Sequence, residues 1–138
     1  MTEYPDLSPY EYLPGESPVA MVNVGWLGPR SPFETGDVDP RFRHALLELI
    51  ADRPAHRTRG FHGCELCLRP EPVRIPFGEP GSVLLGSAEV HVAGADGVVH
   101  AAPNLVHHYV TEHGYRPPQQ FVDAVFHAVA RLGGAHGK

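Results

Sequence analysis

Val90-His91-Val92-Ala93-Gly94-Ala95-Asp96-Gly97-Val98-Val99-His100-Ala101-Ala102 decides how this chain is built. The segments Val83 to Val92 and Gly97 to Ala102 are rich in residues that favour strands. Between them Ala93-Gly94-Ala95-Asp96-Gly97 carries an Asp-Gly pair and two glycines, which is turn chemistry. The stretch therefore predicts an antiparallel pair of strands. Along the first strand Ala88, Val90 and Val92 alternate with Ser87, Glu89 and His91. One face is apolar, and the other carries a carboxylate and an imidazole.

Moving outward, Pro103-Asn104 permits a helix through about His113, closed by Gly114 where a left-handed cap is common. Tyr115-Arg116-Pro117-Pro118 opens a final amphipathic helix with Phe121, Val122, Val125, Val129 and Leu132 inward. Gly133-Gly134 ends it, and residues 133–138 are expected to fray. On the amino-terminal side, Asp39-Pro40 supplies an N-cap and a first-turn proline. Phe42, Ala45, Leu46, Leu49 and Ile50 then share one face until Pro54 stops the run. Ala20 to Leu27 is an apolar run ended by Gly28-Pro29 and reads as a buried strand.

Residues 1–18, with Pro5, Pro9, Pro14 and Pro18 among Tyr4, Tyr10 and Tyr12, read as an arm lying across the body. Residues 54–82 read mostly as loop, and a loop of this length in a compact domain needs something to organise it. Together the elements make an α+β fold over residues 1–138. It is a single domain with a small antiparallel sheet and helices at about 40–53, 104–113 and 118–132.

The long loop contains Arg59-Gly60-Phe61-His62-Gly63-Cys64-Glu65-Leu66-Cys67, with the only two cysteines of the chain. About forty residues on, His107-His108-Tyr109-Val110-Thr111-Glu112-His113 supplies more donors. Cys64-x2-Cys67 and His108-x4-His113 each have the local spacing of half a four-coordinate zinc site. The gap between the halves far exceeds the dozen or so residues of a finger that folds around its metal. Zinc here would instead pin the loop to the penultimate helix.

His62 is an alternative ligand, because an extended His-x-Cys puts both side chains on one face. His107 points about 100° away from His108 on a helix, which argues against both binding one ion. His44, His56, His127 and His136 are assigned no role. A C-x-x-C redox pair and two unligated thiols are the competing readings. No helix start clearly follows Cys64 to lower its thiol pKa.

With His62, Cys64 and Cys67 as ligands, or Cys64, Cys67 and His108, zinc would keep a position for water, with Glu65 or Glu89 as general base. No H-E-x-x-H, deaminase pattern, glycine-rich phosphate loop or G-x-S-x-G elbow is present. Trp26 and the tyrosine-rich arm read as packing residues, with a groove as the other reading.

Net charge is −5, and the eleven basic residues, of which only Lys138 is a lysine, are scattered. That pattern argues against nucleic acid as a partner. No stretch approaches the roughly 20 apolar residues of a bilayer span, and the start lacks a secretory signal. The expected location is the cytoplasm, without membrane association. The arginine, alanine, glycine and proline bias fits a GC-rich bacterial genome.

The blocks Asp6-Leu7-Ser8-Pro9-Tyr10-Glu11-Tyr12, Asn23-Val24-Gly25-Trp26-Leu27, Arg59 to Cys67 and Ala101 to Val110 resemble a family of small bacterial proteins of unknown function. The resemblance spans nearly the whole chain and implies one domain, but no activity. From the residues themselves, the expected function is a zinc-stabilised binding or accessory protein with a protein partner, of an immunity or regulatory type. A small zinc enzyme and a redox protein are the alternatives.

Overall fold

In the computed structural model, which describes residues 3–10, 21–52, 54–55, 63–67, 73–77 and 81–136, six strands and three helices follow one another. They are β1 (Met21–Asn23), α1 (Pro40–Asp52), β2 (Pro54–Ala55), β3 (Val73–Pro76), β4 (Ser82–Leu85), β5 (Glu89–Ala93), β6 (Val99–Pro103), α2 (Val106–His113) and α3 (Gln119–His136). The α+β class predicted from the sequence is the one observed.

The β5–β6 hairpin forms where its turn residues predict, with Ala93 opposite Val99 and Val92 opposite His100. Asp96 Oδ1 accepts the Val98 N–H at 3.0 Å, and Gly97 takes a φ of +88°, a left-handed value that glycine adopts without penalty. The sheet order is β1-β6-β5-β2. β5 pairs antiparallel with β6 and β2, while β1 joins parallel to β6, so the sheet is mixed rather than wholly antiparallel. A parallel partner must come from far along the chain, and its neighbour cannot be read from a local turn.

Val90, Val92, His100 and Ala102 face the helices and are fully or almost fully buried. α3 covers this face, its Phe121 meeting His100 edge-on at 5.9 Å, and Phe42 of α1 meets Phe121 and Phe126, each at 6.2 Å. The His100 ring is held at both nitrogens, 3.0 Å from the Val92 carbonyl and 3.0 Å from Gln120 Nε2. α1 begins as its sequence dictates, with Asp39 Oδ1 accepting the Arg41 N–H at 2.9 Å. The same arginine side chain lowers the Asp39 pKa by hydrogen bonding. The predicted face of Phe42, Ala45, Leu46, Leu49 and Ile50 is buried, with Leu47 added.

Several expectations are corrected. The strand expected over 20–27 is regular only at Met21–Asn23, because Gly25 turns the chain with a φ of +75°. The single strand expected over 83–92 is two, β4 and β5, broken at Gly86 with a φ of +103°. Asn104 holds that break: its Oδ1 accepts the Gly86 N–H at 2.7 Å, and its own N–H donates to the Ala88 carbonyl at 3.0 Å. The loop expected over 54–82 contains β2 and a β3–β4 hairpin. α2 starts at Val106 rather than 104, and α3 continues past Gly133-Gly134 to His136.

Of the arm, residues 3–10 are described. They run along β1, with Leu7 N–H on the Asn23 carbonyl at 2.6 Å and Asn23 N–H on the Ser8 carbonyl at 2.8 Å. Asp6 fastens them further, one oxygen accepting the Gly25 N–H at 3.0 Å and the other the Tyr115 hydroxyl at 2.8 Å. Leu7 takes a φ of +68°, which costs a non-glycine residue about 1–2 kcal/mol.

Two glycines give a paired test. Gly97→Ala places its Cβ in open space and incurs only the left-handed penalty, about 1 kcal/mol. Gly25→Ala brings a Cβ to 2.7 Å from Val106 Cγ2 and is expected to cost about 1–3 kcal/mol more, read as a lower urea midpoint. Equal losses would show that Val106 yields without strain.

Candidate metal centre

The metal donors predicted from the sequence come from two elements. The turn at residues 65–67 brings Cys64 and Cys67 to the same side, and α2 carries His108 and His113. On a regular helix residues five apart diverge by about 140°. His113, however, is the last residue of α2, and the chain leaves the helix at Gly114, whose φ of 68° closes the end. The two imidazoles lie 5.2 Å apart at 74°. α2 has eight residues, too few to be stable alone, and its orientation rests on the burial of Val106, His107, His108, Tyr109 and Val110.

Cys64 Sγ lies 3.4 Å from His113 Nε2, and Cys67 Sγ lies 3.4 Å from His108 Nε2. Two separate thiol–imidazole hydrogen bonds would account for either distance alone. They do not require the pairs to meet, yet all four donor atoms lie within 4.8 Å of one another. In a tetrahedron with metal–sulfur bonds of about 2.3 Å and metal–nitrogen bonds of about 2.0 Å, adjacent sulfur and nitrogen are about 3.5 Å apart. The cluster has the dimensions of a metal site.

Cys64 is fully buried and Cys67 half-buried, and both thiols are free. Burial pushes the Cys64 thiol up, while the backbone amides of Cys67 and Leu66 pull it down by hydrogen bonding to its sulfur. Those amides favour the thiolate, the form that ligates a metal. Tyr109, also buried, has its phenol pushed above the ordinary range by burial and then by negative charge at Cys64, Glu65 and Cys67. Neither feature is readable from the sequence, because nothing in local spacing shows which ring or amide will face a sulfur from another element.

His62 and His56 lie outside the described residues. His107 is not in the cluster; it is buried, and its Nδ1 has no partner among the described residues. Burial, then Arg43 and His108, lowers its pKa to about 4, so it is neutral at pH 7. Glu65 is exposed and Glu89 half-buried, and neither is among the four converging donors. Glu89 lies on the other face of the sheet, where its Oε1 accepts the Tyr10 hydroxyl at 2.8 Å and sits 2.8 Å from His91 Nε2. His44 is exposed, 3.6 Å from Glu48, and His127 is half-buried. No described helix is long and apolar enough to cross a membrane.

Fold and site together define a small α+β protein with a Cys2His2 group able to hold a metal ion. Residues 2–126 match the family described as a domain of unknown function (DUF7919), and the chain belongs to that family. No curated protein and no solved structure matches the chain significantly.

The left-handed cap after His113 is testable in isolation. A Cβ on Gly114 meets nothing within 4 Å, so Gly114→Ala is expected to lower stability by strain alone, about 1 kcal/mol. Gly114→Asn should lose less, since asparagine tolerates this region. Urea unfolding of the three proteins decides the order, and an unchanged alanine variant would mean that the helix end relaxes freely.

Proposed function

We propose that Cys64, Cys67, His108 and His113 bind one zinc ion in a closed tetrahedral sphere. On this reading the protein is a metal-stabilised binding or regulatory module rather than a hydrolase. One observation carries the proposal: four soft or borderline donors converge, with no carboxylate among the described residues of the group. Two thiolates cancel the charge of a divalent ion and the imidazoles are neutral, so the filled site has no net charge to bury. Thiolate and imidazole together suit zinc better than magnesium or calcium, which take oxygen ligands. Four protein ligands leave no position for a reacting water, and Glu89 is occupied on the opposite face by Tyr10 and His91.

The ion would join the 63–67 turn to α2 and hold that turn against the core. That is a gain in stability, and the surface so fixed is what a protein partner in the cytoplasm would recognise.

Protein purified without a tag is expected to carry about one zinc per chain by elemental analysis. Cys64→Ser with Cys67→Ser should remove it, because the two imidazoles alone bind weakly. At free zinc a thousandfold above Kd the ion adds about 4 kcal/mol, so chelation should lower Tm by roughly 10–15 °C. Full zinc retention in the double serine variant would overturn the ligand assignment.

A second comparison separates the adjacent histidines. His108→Ala should lower zinc content, while His107→Ala should leave it intact and lower only Tm. A small hydroxamate that adds to the zinc of the wild-type protein, seen as a rise in Tm that chelation removes, would instead establish an open, enzyme-like sphere.

A further inference from the structure

A cavity of about 280 Å³ lies between residues 3–6 of the arm and residues 26–34, and it shares no residue with the metal cluster. Two of its walls are aromatic and set at right angles: Tyr4 meets Trp26 with ring centres 5.7 Å apart and planes at 86°. The Trp26 ring is fixed in place, its Nε1–H donating to the Ala101 carbonyl at 3.0 Å. Phe33 adds a third ring, held edge-on at 6.0 Å by buried Tyr115. Tyr4 stays 43% exposed despite this contact, so its ring is open to a ligand.

Three carboxylates line the same cavity, Glu3, Asp6 and Glu34, and among the described residues no lysine or arginine does. Aromatic faces and carboxylates both attract a cation. Gly28 is what admits Glu3, since a Cβ there would come to 2.6 Å from the Glu3 carboxyl carbon. The hydrogen bonds of these carboxylates then decide which cation fits. Asp6 has one oxygen on the Gly25 N–H and the other on the Tyr115 hydroxyl, and Glu3 Oε2 accepts the Arg30 N–H at 3.0 Å. Glu3 Oε1 is buried without a partner among the described residues, out of contact with anything entering from solvent.

The cavity thus offers negative potential and aromatic faces, with the Asp6 and Glu3 carboxylates already engaged or buried and the exposed Glu34 left as its main open acceptor. A primary ammonium brings three N–H donors that need acceptors, whereas a quaternary ammonium brings none. We propose that this cavity binds a small quaternary ammonium ion of about the size of choline. The site is independent of the metal centre and stands whether or not zinc is bound.

Trp26 is the single tryptophan of the chain, so its emission reports on this cavity alone. With the full-length protein at constant ionic strength, choline should give a saturable change in emission. The neutral isostere 3,3-dimethylbutan-1-ol and the primary amine ethanolamine should each bind at least about fivefold more weakly. Tyr4→Ala and Glu34→Gln should each weaken choline binding by a similar factor, while Tyr4→Phe keeps it. Thermal unfolding checks that each variant is folded, and the indole N–H resonance of Trp26 provides a second readout. A non-saturating response, an isostere as tight as choline, or full affinity in Tyr4→Ala would overturn the cation site. Ethanolamine binding as tightly as choline would overturn the preference for a quaternary ion.

Discussion

The side chain of Asn104 holds the corner where sheet becomes helix, and the elements on either side of that corner take their positions from it. Its carbonyl oxygen takes the Gly86 amide at the break between β4 and β5, and the backbone N–H of the same residue reaches the Ala88 carbonyl just before β5 begins. Asn104 is 4% exposed, so losing its side chain would leave a buried N–H unsatisfied, a cost of about 1–3 kcal/mol. The corner lies directly before α2, which has no side-chain cap of its own. From that corner the burial of Val106, His107, His108, Tyr109 and Val110 orients the short helix, and its two histidines reach the cysteine turn.

Polar groups inside this protein are satisfied unevenly. His100 has both ring nitrogens occupied, while His107, one residue from a cluster member, has a ring nitrogen without a partner among the described residues and stays neutral instead. Burial of an imidazole without a partner is destabilising. Here it accompanies packing of α2 against α1, where the Arg43 charge further disfavours protonation. The thiol of Cys64 is treated differently: burial raises its pKa, and two backbone amides aimed at its sulfur offset part of that rise.

What could be read from the sequence was what is local. Asp39-Pro40 with its apolar face, the Asp96-Gly97 turn and the glycine after His113 each act through neighbours within a few residues, and each is found where expected. The two halves of the Cys2His2 group were legible for the same reason, since C-x2-C and H-x4-H are set by one turn and one helix end. The break at Gly86 was not legible, because its cause is Asn104, eighteen residues away. Nor was the parallel entry of β1 beside β6, or the capture of the arm by Tyr115. The β3–β4 hairpin hid in a proline-rich stretch, with Pro76 placed at the end of its strand.

The arm has a consequence for how the chain reaches this structure. Asp6 finds Tyr115 across 109 positions, and Tyr10 finds Glu89 across 79. Contacts of such sequence separation close large loops and slow folding, unlike the β5–β6 hairpin, which can form in microseconds. During synthesis residues 3–10 are made well before their partners at 89 and 115. At about 5–20 residues per second the arm therefore waits several seconds, extended and open to proteases and chaperones, before the strand it lies along has a sheet to join.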